Sequence, residues 1–331
     1  MLSNIDRFQR HIDYLRVSIT DWCNLRCVYC RPQGKFQKLQ HEEILSYEEI
    51  ISLSQVAIGS GIRKIRITGG EPLLRQNVIC LCRELARIKN LESLTITTNG
   101  VLLKHFALEL KKAGVKRINV SLDTLDPTKY KKITGKNFFH RVWGGIEEAL
   151  SVGFCLVKIN VVVMRNVNGD EIEDLSKLTF KYPFHVRFIE LMPFLEKNGP
   201  ASSNFMASDE IMRRLQNVGE IYPVSSVNVN GPAVHFQFAG ALGKIGLISP
   251  MSHHFCPTCN RLRLTADGKL RACLLSDIET DIKSALRNGA SNCELRAIFR
   301  KAIESKPKSH MLIDHKIPEN PLLRSMVAIG G

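Results

Sequence analysis

The chain has 331 residues, 44% of them hydrophobic and 24% charged. That is enough for one large or two ordinary folded domains, and it excludes long disorder, collagen-like repeats and coiled-coil rods. Subtracting 32 acidic from 46 basic side chains leaves +14, an excess that attracts polyanions such as nucleoside triphosphates, nucleic acid or acidic lipid. No uninterrupted apolar stretch approaches the roughly 18 residues of a membrane span; the best, 152–164, is broken by Lys158 and Asn160. The start lacks the apolar core of a secretory signal and carries Asp6 and Asp13, so a soluble protein of the reducing cytoplasm is expected. In that compartment the clustered thiols among ten cysteines read as metal ligands or redox groups rather than disulfides.

Six short β-branched runs, 14–19, 64–68, 93–97, 117–121, 157–163 and 185–189, alternate with segments of helical spacing and read as strands. Between the first two, Ser46-Tyr47-Glu48-Glu49 is a capping-box pattern ahead of Ile50, Leu53 and Ala57 on one face. Residues 46–58 therefore read as an amphipathic helix, stopped by Gly59 and Gly61. Six alternations predict an α/β fold: a parallel sheet with right-handed crossovers, curved into a partial (βα)6 TIM-like barrel that binds ligands at the carboxyl ends of its strands. An open doubly wound sheet is the alternative. After Pro193, residues 198–204 read as a linker and 208–217 as a helix. Segments 220–227, 233–238, 244–248, 261–265 and 269–272 read as short strands, with Asp267-Gly268 as a hairpin turn, and 276–304 as helical. The expected division is 1–195, the barrel, and 196–331, a C-terminal extension with short antiparallel strands.

Cys23, Cys27 and Cys30 place three thiols in eight residues directly after the first strand. Three thiolates saturate neither a tetrahedral zinc nor a four-iron cubane, so one coordination position stays open unless a distant group such as His41 fills it. The second strand runs into Thr68-Gly69-Gly70-Glu71-Pro72, where paired glycines allow close approach to the backbone. Cys256, Cys259 and Cys273 form a second three-thiol set, whose spacing also suits a zinc ribbon completed by His253, His254 or Cys293. Arg261 and Arg263 alternate on the strand between these thiols and so present two guanidinium forks to one side, an arrangement suited to phosphates. Lys158, a cation inside the apolar run 156–163, is costly to bury without an anionic partner. Cys80, Cys82, Cys155 and Cys293 match no ligand spacing and read as ordinary buried thiols.

The Cys-x3-Cys-x2-Cys pattern, with Tyr29 before its last cysteine, and the Gly-Gly-Glu-Pro element resemble the radical S-adenosylmethionine (SAM) enzymes. The run from Ile248 to Leu274 resembles, within them, the GTP 3′,8-cyclase family of molybdenum cofactor biosynthesis. Tyr14-Leu15-Arg16-Val17-Ser18, Thr97-Thr98-Asn99-Gly100, Asn119-Val120-Ser121-Leu122-Asp123, Arg187 to Pro193 and the terminal Gly330-Gly331 are similar too; 194–240 carries no motif to align. The resemblance implies two [4Fe–4S] clusters, held by Cys23, Cys27 and Cys30 and by Cys256, Cys259 and Cys273. It implies SAM at Tyr29, Gly70, Ser121 and Met192, and GTP at Arg16, Arg66, Thr97, Lys158, Arg261 and Arg263. Arg261, Arg263, Gly330 and Gly331 would assist catalysis. The implied reaction is a radical lyase-type cyclisation: a 5′-deoxyadenosyl radical from SAM removes the ribose 3′ hydrogen of GTP, and the sugar carbon then bonds to guanine C8. Implied partners are an electron donor of flavodoxin or ferredoxin type and cyclic pyranopterin monophosphate synthase downstream, with a homodimer left open. No membrane or nucleic-acid partner is expected. A zinc-stabilised RNA-binding protein would need aromatic stacking partners, and the chain has only 7% aromatics. A radical enzyme acting on peptides would have little need for the paired arginines.

Overall fold

The computed structural model describes residues 4–30, 38–193, 203–224, 231–310 and 324–330. The boundary expected at 195/196, most of the expected linker and Gly331 lie outside them. The six runs form β1 (Tyr14–Ser18), β2 (Lys64–Thr68), β3 (Ser93–Thr98), β4 (Arg117–Ser121), β5 (Val157–Val163) and β6 (His185–Glu190). They pair in parallel, each with the next. The crossovers hold α1 (Tyr47–Gly59), α2 (Val78–Ala86), α3 (Leu103–Lys112), α4 (Pro127–Thr134), α5 (Phe139–Ser151) and α6 (Ile172–Lys181). Helix α1 starts where its capping box requires: the Ser46 hydroxyl accepts from Glu49 N at 3.2 Å, and the Glu49 carboxylate accepts from Ser46 N at 2.7 Å.

The C-terminal part adds α7 (Ser208–Gln216), β7 (Ile221–Pro223), β8 (Ala233–Phe238), β9 (Lys244–Ile248), β10 (Arg261–Leu264), β11 (Lys269–Arg271), β12 (Glu279–Asp281), α8 (Lys283–Arg287), α9 (Asn292–Glu304) and α10 (Met326–Ile329). It does not build a separate sheet. Strand β9 lies parallel on β6 and β10 parallel on β1, so the parallel wall has eight strands, β10-β1-β2-β3-β4-β5-β6-β9. The expected antiparallel strands lie outside it, β8 and β7 on one edge and β11 and β12 on the other. The 276–304 segment is a correction, because it opens with a strand, β12. That strand forms because Arg271 is fully buried and needs an anion, which Glu279 supplies at 2.5 Å.

One face of the wall packs under the helices. Leu15, Val17, Ile65, Ile67, Ile96, Ile118, Val120 and Ile159 are buried there, each contributing roughly 1.5–3 kcal/mol. The strand period of two sends the intervening residues to the other face. In β5, Val157, Ile159, Val161 and Val163 are buried in the core, while Lys158, Asn160 and Val162 alternate with them and line a cavity. No helix among the described residues is long and apolar enough to cross a membrane.

Candidate functional site

All eight parallel strands contribute to one cavity of about 500 Å³. A larger but shallow hollow of about 710 Å³, between Asp6 and Glu304, holds none of the residues singled out above. Strand register sets the cavity's chemistry in rows. Arg16 stands level with Arg66 on one side and Arg263 on the other, and Lys158 level with His185. Arg16, Lys64, Arg66, Arg117, Lys158, Arg187, Lys244, Arg261 and Arg263 all line it, against Asp123 as the one carboxylate among the described lining residues. Lys64 pairs with Asp13 at 2.9 Å.

This crowding is unfavourable without a polyanion. Burial, then Arg187, Arg117 and Arg66, push the Lys158 ammonium down to about 6. Burial, then Arg263 and Arg66, hold Arg16 well below the usual guanidinium range, and burial with neighbouring arginines lowers Arg187 and Arg263. Among the described residues, several buried polar atoms on the lining lack a hydrogen-bond partner: Thr97 Oγ1, Asn160 Oδ1, His185 Nδ1, Arg187 Nε and Arg261 Nε. Unsatisfied groups this dense in one cavity mark a polar ligand's place. Arg261 also lies over the Phe255 ring, 4.7 Å from its centroid.

Cys23, Cys27 and Cys30 border the cavity on the loop that leaves the carboxyl end of β1. The loop is held down by backbone bonds from Gly70 N to Thr20 O (2.6 Å) and Glu71 N to Trp22 O (2.7 Å). A Cβ on Gly70 would lie 2.1 Å from the Trp22 oxygen, so this glycine is required first by the thiol loop itself. Buried Glu71 ties the network together by accepting from Thr98 Oγ1 (2.7 Å), Asn99 N (2.6 Å) and Leu73 N (3.0 Å); burial raises its carboxyl to about 7. Asn99 in turn donates to Asn24 Oδ1 (2.7 Å) and reaches Cys23 Sγ at 3.7 Å. Burial, then Cys30, Asp123 and Cys23, hold the Cys27 thiol well above its usual range. Thiols that oppose one another's ionisation need a cationic centre among them. Tyr29 lines the cavity but donates its hydroxyl to Asp123 at 2.7 Å; Gly70, Ser121 and Met192 line it as well.

Cys256, Cys259 and Cys273 line a smaller pocket of about 80 Å³ that shares Met192, Phe255, Arg261 and Arg263 with the main cavity. Cys256 and Cys259 precede β10, whose first residue is level with the first of β1, so they lie beyond the opposite end of that strand pair from the Cys23 loop. Burial opposes ionisation of Cys259, yet Arg261 and Lys306 outweigh it and bring the thiol down to about 6. Lys306 is 3% exposed and donates to Arg261 O (2.8 Å) and Ala272 O (2.6 Å). Among the described residues, no three Cys, His, Asp or Glu side chains are drawn in tightly enough for a single metal ion; the thiols are spread around two openings. Of the candidate fourth ligands, His41 is exposed, His253 is bonded to Asp209 (2.8 Å), Cys293 is exposed, and His254 borders the smaller pocket. Two crowded three-thiol sets beside orphaned polar atoms fit a pair of iron–sulfur clusters and their ligands.

The tail returns to this place. Arg324 pairs with Asp267 through two bonds of 2.7 and 2.9 Å, and the Gly330 carbonyl accepts from Arg263 at 2.9 Å. With φ at +84° and Ser18 Cβ only 2.7 Å from where a Cβ would sit, Gly330 has no room for a side chain. The expectation for the four unmatched cysteines is corrected, since Cys82 is buried but Cys80, Cys155 and Cys293 are exposed. Sequence reasoning missed Arg187, Arg117, Lys64, Lys244 and Lys306. Arg187 had the signal that revealed Lys158, a cation within an apolar strand.

The Radical SAM superfamily model matches residues 17–179, and the Molybdenum Cofactor Synthesis C model matches residues 184–312. A GTP 3′,8-cyclase of Moorella thermoacetica is 50% identical over 305 residues, 92% of this chain and 94% of that protein. One of Thermodesulfovibrio yellowstonii is 50% identical over 328 residues, 98% and 99% of the two chains. Streptococcus suis SuiB, solved with S-adenosylmethionine bound, shares the fold at a TM-score of 0.61 and 15% identity, over 86% of this chain and 68% of that one. The chain belongs to the GTP 3′,8-cyclase family, radical SAM enzymes of molybdenum cofactor synthesis that work with iron–sulfur clusters and S-adenosylmethionine.

Proposed function

We propose that the chain converts GTP to (8S)-3′,8-cyclo-7,8-dihydroguanosine 5′-triphosphate between two four-iron clusters. The carrying observation is the row of nine cations, against one carboxylate among the described lining residues, in the cavity that adjoins both thiol sets. Cys23, Cys27 and Cys30 would hold the cluster that binds SAM, with Tyr29, Gly70, Ser121 and Met192 around it. Cys256, Cys259 and Cys273 would hold the second, on the GTP side. When bound, reduced SAM supplies the carbon radical that takes the ribose 3′ hydrogen. The protein's own part is to bind and orient. Arg16, Arg66, Lys158, Arg261 and Arg263, joined by Arg187, neutralise the triphosphate and fix the nucleotide so that one C–H faces the radical source. Thr97 Oγ1 and Asn160 Oδ1, without partners in the structure, serve as its polar contacts. Arg263 also anchors the Gly330 carbonyl, which would set Gly330 beside the reacting sugar with no side chain to intrude.

On this reading residues 1–195 generate the radical and hold part of the nucleotide, and 196–331 carry the second cluster and the GTP-binding Arg261 and Arg263. The protein works in the reducing cytoplasm, receives electrons from a one-electron carrier protein and passes its product to cyclic pyranopterin monophosphate synthase. The test is anaerobic reconstitution with iron and sulfide, then reduction with SAM and GTP. About eight irons per chain are expected, as two four-iron clusters require, with 5′-deoxyadenosine and a cyclised nucleotide formed together. SAM cleavage with no nucleotide product would refute the substrate.

A further inference from the structure

The segment 25–28 alternates about the first thiol set. Leu25 is buried and Cys27 half-buried, while Arg26 and Val28 are exposed, Val28 at 55%. Their backbone amides bond to the end of α4, Arg26 N to Thr134 O (2.8 Å) and Val28 N to Ile133 O (3.0 Å). That end of α4 carries Lys131 and Lys132 in its last turn, and Lys136 follows; all three are exposed. No aspartate or glutamate occurs in 22–30 or 127–141. Asp170 and Glu171, the acids that do reach this helix, are taken by Lys129 at 2.6 and 3.0 Å. Asp126 caps the far end of α4. Among the described residues, Arg26, Lys131, Lys132 and Lys136 have no carboxylate within 4 Å. A helix C-terminus favours cations by itself, which accounts for Lys131 and Lys132. It does not account for Arg26, Lys136 or exposed Val28.

We propose that this surface, exposed Val28 and Arg26 together with Lys131, Lys132 and Lys136 of the helix end to which their amides bond, docks an acidic one-electron carrier protein over the first thiol set. The inference rests on the reading that Cys23, Cys27 and Cys30 hold a four-iron cluster. One electron leaves the carrier, which is oxidised by one equivalent, and reduces the cluster from the 2+ to the 1+ state; no atom moves. The site suits that transfer because exposed Arg26 and Val28 flank Cys27 in sequence, so a donor docked on them contacts the segment that carries a ligand sulfur. An exposed apolar residue among like charges is also what brief electron-transfer encounters use, where long-range attraction sets the rate and little area is buried.

The probe is an acidic flavodoxin in its hydroquinone form, mixed with reconstituted enzyme while cluster bleaching is followed by stopped flow. Titanium(III) citrate serves as the small reductant. In the triple variant Lys131→Glu, Lys132→Glu, Lys136→Glu, the flavodoxin-driven rate constant is expected to fall at least about 10-fold at low salt. The gap should close near 1 M salt, where the screening length is about 3 Å. Iron content and titanium-driven reduction should match the parent, and titrated flavodoxin affinity should fall with the rate. An unchanged flavodoxin rate, or an equal loss with both reductants, would overturn the proposal. So would charge-sensitive binding of a random RNA with flavodoxin unaffected. If the parent bleaches with neither reductant, the assignment of Cys23, Cys27 and Cys30 fails, and the docking surface with it.

Discussion

Around Cys27, burial and the neighbouring Cys30, Asp123 and Cys23 all hold the thiol protonated, whereas around Cys259, Arg261 and Lys306 overcome burial and bring it to about 6. Both places offer three sulfurs, and the difference lies in who supplies the positive charge. At the Cys23 loop the bound cluster must bring it, and among the described residues nearby Asp123 and Glu71 are held by hydroxyl and amide donors rather than by a cation. At the Cys256 pocket the protein supplies it through Lys306 and two arginines that also face the main cavity. Burial, with Cys273 and Cys259, still raises Cys256 in the second set, so the contrast lies at Cys259, and the cations beside it put a triphosphate on the second site's side.

The largest effect should come from removing a ligand at each site. Cys27→Ala and Cys259→Ala are each expected to lose about half of the ~8 irons and all GTP cyclisation, but only Cys259→Ala should retain GTP-independent SAM cleavage. Iron assay with electron paramagnetic resonance checks this; loss of all iron in both variants would show that the sites do not load separately. Next come the arginines. Arg261→Gln and Arg263→Gln should each weaken GTP binding by roughly 10–100-fold, the worth of one charge-assisted contact of about 1.5–3 kcal/mol. SAM affinity, measured in the same titration, should stay put. If both affinities fell together, the arginines would be holding the sheet rather than the nucleotide.

Lys306→Met probes the contrast without touching a ligand. In cluster-free protein the folded Cys259 thiol lies near 6, below its usual value of 9.0. The unfolded chain therefore binds more protons between those values, and stability from this group is present above pH 9 and lost as pH falls through 6. The variant should flatten that slope, and the pH midpoint for alkylation of Cys259 should move upward. Cys27 should not respond.

Much of this was readable before the fold. The six β-branched runs became β1 to β6, and Ser46 and Glu49 closed the expected capping box, because period and capping are local. The eight-strand wall was not readable. That β9 and β10 join opposite edges of the first sheet depends on contacts such as Tyr14 with Arg261, which are 247 residues apart. Strand β12 escaped for a related reason, since Glu-Thr-Asp has no strand signature and forms one only against buried Arg271. Within the cavity, cations announced themselves where they interrupted apolar strands. The carboxylates that organise the first thiol loop did not, because Glu71 and Asp123 sit at strand ends where acids are ordinary. The glycine pair was noticed for ligand access, whereas its steric need comes from the Trp22 backbone.

The smallest effect tests the anionic side. Tyr29 donates to Asp123 Oδ2 at 2.7 Å, and Val162 N donates to the other oxygen at 2.8 Å. Burial still raises the Asp123 carboxyl to about 6, with the Tyr29 bond pulling against it. Tyr29→Phe leaves one oxygen of a buried carboxylate without its donor, costing about 1–3 kcal/mol at pH 7. Between the unfolded value of 3.8 and the folded value the native state binds the extra proton, so this group's contribution falls as pH rises across that window. The variant, with its folded value higher still, should extend the fall toward neutrality. Its deficit in urea unfolding of cluster-free protein should therefore be larger at pH 7 than at pH 5, where Asp123 is protonated in both proteins. An equal deficit at the two values would mean that the hydroxyl contributes packing alone, and that the first site's negative character does not depend on how Asp123 is held.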